Sequence, residues 1–221
     1  MGLVLLAIPT VMLGLNSIRV RQFAPGEGLA FMLLGPALGC VLAAAVGIWT
    51  GALVGRPRLS IALAAAVPLG AALFWLWTFY ATPTVYVFGA FGGYFPGAIY
   101  DDLVRIPDRY LTYRATTILG IVGLTLLFDA LWDPTVGRLR GSGSPGKILA
   151  GVSALAVVMA VYALGPELGH WVSEASLVER LGKTLESENC TVHVPRETRA
   201  EDAQRLLDDC DFHFERARRL S

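Results

Sequence analysis

Charge is scarce in this chain. Only 16% of its 221 residues are Asp, Glu, Lys or Arg, against about 25% in soluble domains. No basic cluster is dense enough to follow a phosphate backbone, which argues against a nucleic-acid partner. Nucleophiles and soft metal ligands are equally few: three cysteines and three histidines, the histidines (His170, His193, His213) all in the last quarter. There is no H-E-x-x-H and no G-x-S-x-G, and no catalytic set or cofactor site emerges from the motifs present. The motif nearest to a phosphate loop, Gly141-Ser142-Gly143-Ser144-Pro145-Gly146-Lys147, has Ile148 where a magnesium-holding hydroxyl belongs and no strand before it. It reads as a flexible linker.

What the chain does have is apolar length. Leu29–Gly55 contains no charge and, at about 1.5 Å per residue, extends ~40 Å as a helix, more than a hydrocarbon core of ~30 Å. Gly35, Gly39, Ala43, Gly47, Gly51 and Gly55 follow one another at intervals of four. Small residues at that interval form a ridge on which a second helix can rest at backbone contact, from the same chain or from a partner in a homo- or hetero-oligomer. A period of four slightly exceeds 3.6, so the ridge winds slowly and suits a right-handed crossing.

Further apolar runs complete the pattern. We expect an all-α membrane helix bundle over residues 1–166, with about five spans at 2–15, 29–54, 60–80, 115–132 and 148–164. The first is short for a crossing, which needs ~17 residues, and lacks the basic flank and cleavage site of a signal peptide. A start further upstream is the favoured explanation, a locally thinned bilayer the other. Pro68 and Gly70 suggest a kink in the third span. Phe74, Trp75, Trp77, Phe79 and Tyr80 crowd its end as an aromatic belt would. Between the third and fourth spans, residues 82–114 form a connector rich in aromatics and glycine, expected to hug the surface or re-enter the membrane. Asp101, Asp102 and Asp108 are read there as interfacial charges balanced by Arg105, Arg109 and Arg114.

Residues 1–166 carry ten Lys/Arg and six Asp/Glu; residues 167–221 carry eight and twelve. The loops after the second and fourth spans hold Arg56, Arg58, Arg138, Arg140 and Lys147 with Asp133 as their only acid. Positive charge in short loops marks the cytoplasmic side. With five crossings this puts the N-terminus in the cytoplasm and the tail outside, across a bacterial inner membrane. Asp129, ionisable inside a span, is the one candidate for an intramembrane polar site, although it lies close enough to the span's end to snorkel or meet Arg138.

The tail changes character. Glu167–Leu185 reads as an amphipathic helix through Leu177, Leu181 and Leu185, Thr191–Val194 as a strand, and Thr198-Arg199-Ala200-Glu201 as a capping box opening a helix. Ala203, Leu206, Leu207, Cys210, Phe214 and Ala217 share one side of that helix. Cys190 and Cys210 admit three readings: a disulfide, free thiols, or zinc ligands with His193 and His213. Strand geometry turns Cys190 and His193 to opposite faces, and an outside tail makes the disulfide the simplest.

The stretch Gly93-Tyr94-Phe95-Pro96-Gly97-Ala98-Ile99-Tyr100-Asp101-Asp102, with Arg109-Tyr110-Leu111-Thr112-Tyr113-Arg114 after it, resembles a segment of bacterial multi-span membrane proteins. In these a membrane domain precedes a zinc-peptidase-like domain of the gluzincin type. Cys190-Thr191-Val192-His193-Val194-Pro195 and the helix after it are similar to the opening strand and helix of such a domain. The resemblance implies a membrane anchor whose peptidase-like domain continues past Ser221. It transfers no catalytic role to any residue here, because the zinc-binding helix is not in these residues. The alternatives are a small transporter or channel subunit acting through Asp129, and a structural subunit of a membrane assembly.

Overall fold

Among the described residues four helices are long and apolar enough to cross a membrane: Gly26–Val54, Pro57–Ala81, Asp108–Leu131 and Pro145–Ala163. The computed structural model that shows them describes residues 2–19, 25–82, 84, 86–95, 105–139 and 143–220. The fifth expected crossing, over 2–15, is not one of these four helices. Helix α1 (Gly2–Arg19) forms, and the apolar run expected there, 2–15, is fourteen residues, short of the ~17 a crossing needs.

The second apolar run is two helices, α2 (Pro25–Met32) and α3 (Leu38–Val54), joined by a π turn at Leu33–Ala37. Pro36 is the cause. Its ring excludes the carbonyl four residues back, and the ladder resumes through a wider bond from the Leu38 N–H to the Leu33 carbonyl. Gly55, at φ +62°, ends α3 in the left-handed conformation that glycine adopts without strain. Helix α4 (Pro57–Ala81) starts with proline at its first position and runs on through Pro68.

The strand pair β1 (Val87–Gly89) and β2 (Gly93–Phe95) follows, antiparallel, with Phe88 opposite Tyr94. The connector is therefore in part a hairpin, and a buried one: Tyr86, Val87 and Phe88 are all covered. Helix α5 (Asp108–Leu131) begins well before the expected Ala115. Extended Pro107 precedes it, and Asp108 suits the positive end of the helix dipole. A two-residue pair, β3 (Trp132–Asp133) and β4 (Arg138–Leu139), turns the chain into α6 (Pro145–Ala163).

Little of these helices touches protein: 6% of the apolar stretch is buried in α4 and in α6, 17% in the other two. Surface this apolar exceeds what monomers present to water. It fits helices that pack on one another and face lipid elsewhere. The tightest pairing is α5 on α6. A Cβ on Gly123 would lie 3.0 Å from the Ala154 Cβ, and one on Gly151 would lie 2.9 Å from the Gly123 carbonyl oxygen.

The chain divides after Trp171. The second unit has α7 (Glu174–Leu181), antiparallel strands β5 (Gly182–Glu186) and β6 (Thr191–Pro195), and α8 (Ala200–Leu220). The expected helix over 167–185 is thus shorter. Ser173 and Ser176 cap its start reciprocally, and Gly182, at φ +75°, stops it. A strand follows where the helix was expected to continue. Ala203 and Leu207 on α8 and Val194 on β6 are buried with Cys190. Leu206 and Phe214, expected on that same side, are exposed.

Candidate functional site

The hairpin, the π turn, the start of α5 and the turn after α6 meet at one end of the helical unit. Glycine lets them approach. A Cβ on Gly89 would overlap the Trp75 ring, and one on Gly39 would overlap the Phe91 carbonyl. Trp75 therefore turns inward from the aromatic belt onto the hairpin, while Phe74, Trp77, Phe79 and Tyr80 stay exposed.

Phe88 is the hub of the aromatic cluster, with ring centroids 5.1 Å from Tyr86, 5.2 Å from Tyr94, 5.3 Å from Tyr110 and 5.7 Å from Tyr113. Phe31 stacks on Tyr94 at 6.0 Å and on Tyr110 at 6.5 Å. Two arginines enter it. Arg109 lies over the Tyr86 ring, 4.0 Å from its centroid. Arg114 is 1% exposed and Tyr110 is 0% exposed. Arg114 Nε donates to Tyr110 Oη at 2.9 Å and Nη1 donates to the Ala90 carbonyl at 2.8 Å. Its Nη2 and the Arg109 Nε are buried with no acceptor among the described residues. The reading of Arg114 as a solvated interfacial charge is therefore corrected: the earlier start of α5 carries it into the packed cluster. Asp108 and Arg105 are exposed; Asp101 and Asp102, with 96–104 as a whole, lie outside the described residues.

Next to the arginines, Tyr86 Oη donates to the Gly169 carbonyl at 2.5 Å, and Thr112 Oγ1 donates to the Arg109 carbonyl at 2.9 Å. Since the Thr112 hydroxyl hydrogen is used there, its oxygen accepts from His170 Nε2–H at 3.0 Å. Burial holds the His170 pKa below its usual 6.5, so the ring is neutral at pH 7. The unfolded chain then takes up this proton before the folded one does. Stability from His170 is complete above about pH 6.5 and falls as acidification approaches the lower folded value. Melting the detergent-solubilised protein from pH 7.5 down to 5 checks this: the wild type loses stability more steeply than His170→Gln.

Within this one chain the residues of the glycine ridge meet different neighbours. Gly35 and Gly39 are buried against the hairpin, and Gly51 faces Ser60 Oγ, 3.7 Å from where its Cβ would be. Ala43 is exposed, a Cβ on Gly47 would meet nothing, and Gly55 is the helix stop. Gly39→Ala is therefore expected to cost about 1–3 kcal/mol, since backbone must shift, whereas Gly47→Ala gains up to ~1 kcal/mol from helix propensity. Thermal midpoints in one detergent distinguish the two.

At the opposite end Asp129 pairs with Lys147 rather than with Arg138, and both side chains are at least half exposed. An acid in the last turn of one helix and a base in the first turn of the next each oppose the local dipole, and the pair offsets both. Gly141 and Ser142 lie outside the described residues. In the tail unit the structure joins Cys190 to Cys210 by a disulfide, with Cα atoms 6.2 Å apart. His193 Nδ1 is 3.0 Å from Thr184 Oγ1, and His213 packs on Phe212.

Sequence reasoning had no hold on the Arg114–Tyr110 pair, because a charge at the edge of an apolar run is ordinarily placed in the headgroups. Spacing was the available signal: Tyr110 and Arg114 are four apart and share a helix face. Comparison with protein families, curated proteins and solved structures finds no match to this chain.

Proposed function

We propose that this chain anchors a peptidase-like domain of the gluzincin type to a bacterial inner membrane. The helical unit is the anchor and residues 172–221 are the beginning of the anchored domain. The observation that carries the reading is the form of α8. Ala203 and Leu207 are buried, while Leu206, Phe212, Phe214 and Leu220 remain exposed. Among the described residues this unit of two strands and two helices buries only Cys190, Val194, Ala203 and Leu207, a small core for a domain standing alone, and a helix apolar on both sides suits a larger domain. The basic loops around 55–58 and 138–147 are placed in the cytoplasm. The unit after Trp171 is then outside, where a Cys190–Cys210 disulfide persists. No residue here is given a catalytic role.

Reading the coding DNA past Ser221 tests the proposal. An in-frame H-E-x-x-H helix is the expected result, and a stop codon directly after Ser221 contradicts it. The open part of the glycine ridge, Ala43 and Gly47, is kept as the seat of a second copy or another subunit. Gly47→Leu then lowers the oligomer state in detergent, and an unchanged state removes that role. The alternative is a small transporter or channel subunit acting through Asp129, which pairs with Lys147; on that reading Asp129→Asn abolishes flux in reconstituted vesicles, and unaltered flux removes the residue from consideration.

A further inference from the structure

The turn over 164–170, which follows α6, is held by a closed ring of contacts. Arg109 lies over the Tyr86 ring, and Tyr86 Oη donates to the Gly169 carbonyl. His170 Nε2 donates to Thr112 Oγ1, which in turn donates to the Arg109 carbonyl. His170 is 4% exposed and meets the Tyr113 ring edge-on at 5.5 Å. Trp171 beside it packs on Tyr162 of α6 at 4.7 Å. Glycine makes the turn fit: a Cβ on Gly165 would overlap the Trp171 ring, and one on Gly169 would lie 3.5 Å from Arg109 Cδ.

One member of this ring is already cationic. Arg109 keeps its proton at any accessible pH, and its Nε has no acceptor among the described residues. The other titratable groups around His170 are Tyr113 from α5, Tyr86 from the run before β1, and Tyr162 from α6, which is reached through Trp171. Two carboxylates lie near in sequence, Asp108 and Glu167, and both are exposed. The side-chain partner of His170 among the described residues is a neutral hydroxyl. An imidazolium formed here is short of water, lacks a counter-charge among those residues and has Arg109 for a neighbour. Turning outward relieves all three penalties.

We propose that this turn is an acid-released latch: a proton taken from solvent by His170 Nδ1 frees residues 164–170 from α5 and Tyr86, while α5 and α6 stay folded. The neutral ring is latched and the charged ring is released. Since burial holds His170 below its usual 6.5, the opening comes at mildly acid pH. Such an event is local, and distinct from the acid loss of stability of the whole fold.

Hydrogen exchange of the intact chain in detergent tests the latch, read as protection factors so that the pH dependence of exchange itself cancels. The amides to follow are those of Gly169 and His170, which donate to the Pro166 and Gly165 carbonyls. In the wild type their protection falls by up to about tenfold for each pH unit below 6.5, the slope of a one-proton linkage. The interior of α6 keeps its protection down to pH 5. His170→Gln still offers an N–H to Thr112 and does not titrate, so its turn stays closed throughout. Arg109→Met removes the neighbouring charge and moves the opening to lower pH. The proposal is overturned if the wild-type turn is as protected at pH 5 as at pH 7.5, or if His170→Gln opens equally. It is also overturned if Arg109→Met opens at the wild-type pH, or if α6 loses protection together with the turn.

Discussion

Gly151→Leu is expected to destroy the pairing of α5 with α6. A Cβ at Gly151 would already lie 2.6 Å from Leu127 Cγ and 2.9 Å from the Gly123 carbonyl oxygen. A leucine side chain adds three more carbons to that space. Part of the obstacle is backbone, which cannot rotate aside, so the cost belongs at or above the upper end of overpacking penalties, about 3 kcal/mol. The effect extends further than the two helices, because α5 also carries Tyr110 and Arg114 into the aromatic cluster. Thermal aggregation in detergent measures it, with Gly146→Ala as the control on the same helix, where a Cβ meets nothing. A Gly151→Leu protein that melts with the wild type would show that α5 and α6 do not touch there.

The second large effect lies in the tail unit. Its buried residues, Cys190, Val194, Ala203 and Leu207, supply little hydrophobic burial for some fifty residues. The disulfide closes a loop with a sequence separation of 20, and a link of that length contributes about 3 kcal/mol, mainly by restricting the unfolded chain. Reduction, or Cys190→Ser with Cys210→Ser, is expected to release α8 from β5 and β6. Limited proteolysis of the intact chain in detergent should then cut within 172–220 while the helices Pro57–Ala81, Asp108–Leu131 and Pro145–Ala163 resist. Equal resistance before and after reduction would show that the hairpin and helix hold without the link.

Some of this architecture is written plainly in the sequence. The apolar runs at 29–54 and 60–80 contain no charge, and the cost of exposing a backbone in lipid makes helix the only local solution for them. The same reasoning misplaced the beginning of α5, because it assigns any charge to the interface. It cannot see that a guanidinium sinks among rings once a hairpin supplies a carbonyl, as Ala90 does for Arg114. The small-residue seam was sought as a long ridge on one helix. The contact in the structure takes Gly123 from α5 and Gly151 with Ala154 from α6, which is visible only when two helices are aligned. In the tail, leucines at 177, 181 and 185 carried a helical period straight across Gly182. The stop signal was present in that glycine, yet the short alternation after it was too brief to outweigh the leucines. Pro36 gave a local signal as well, but whether proline bends a helix or widens one turn depends on what fills the space beside it.

The central claim is that the four apolar helices lie within a bilayer. Washing isolated membranes with alkaline carbonate, then solubilising the pellet, tests it most directly. The chain should stay in the pellet and leave it only with detergent. Release by carbonate, followed by monodisperse behaviour in plain buffer, would contradict the claim.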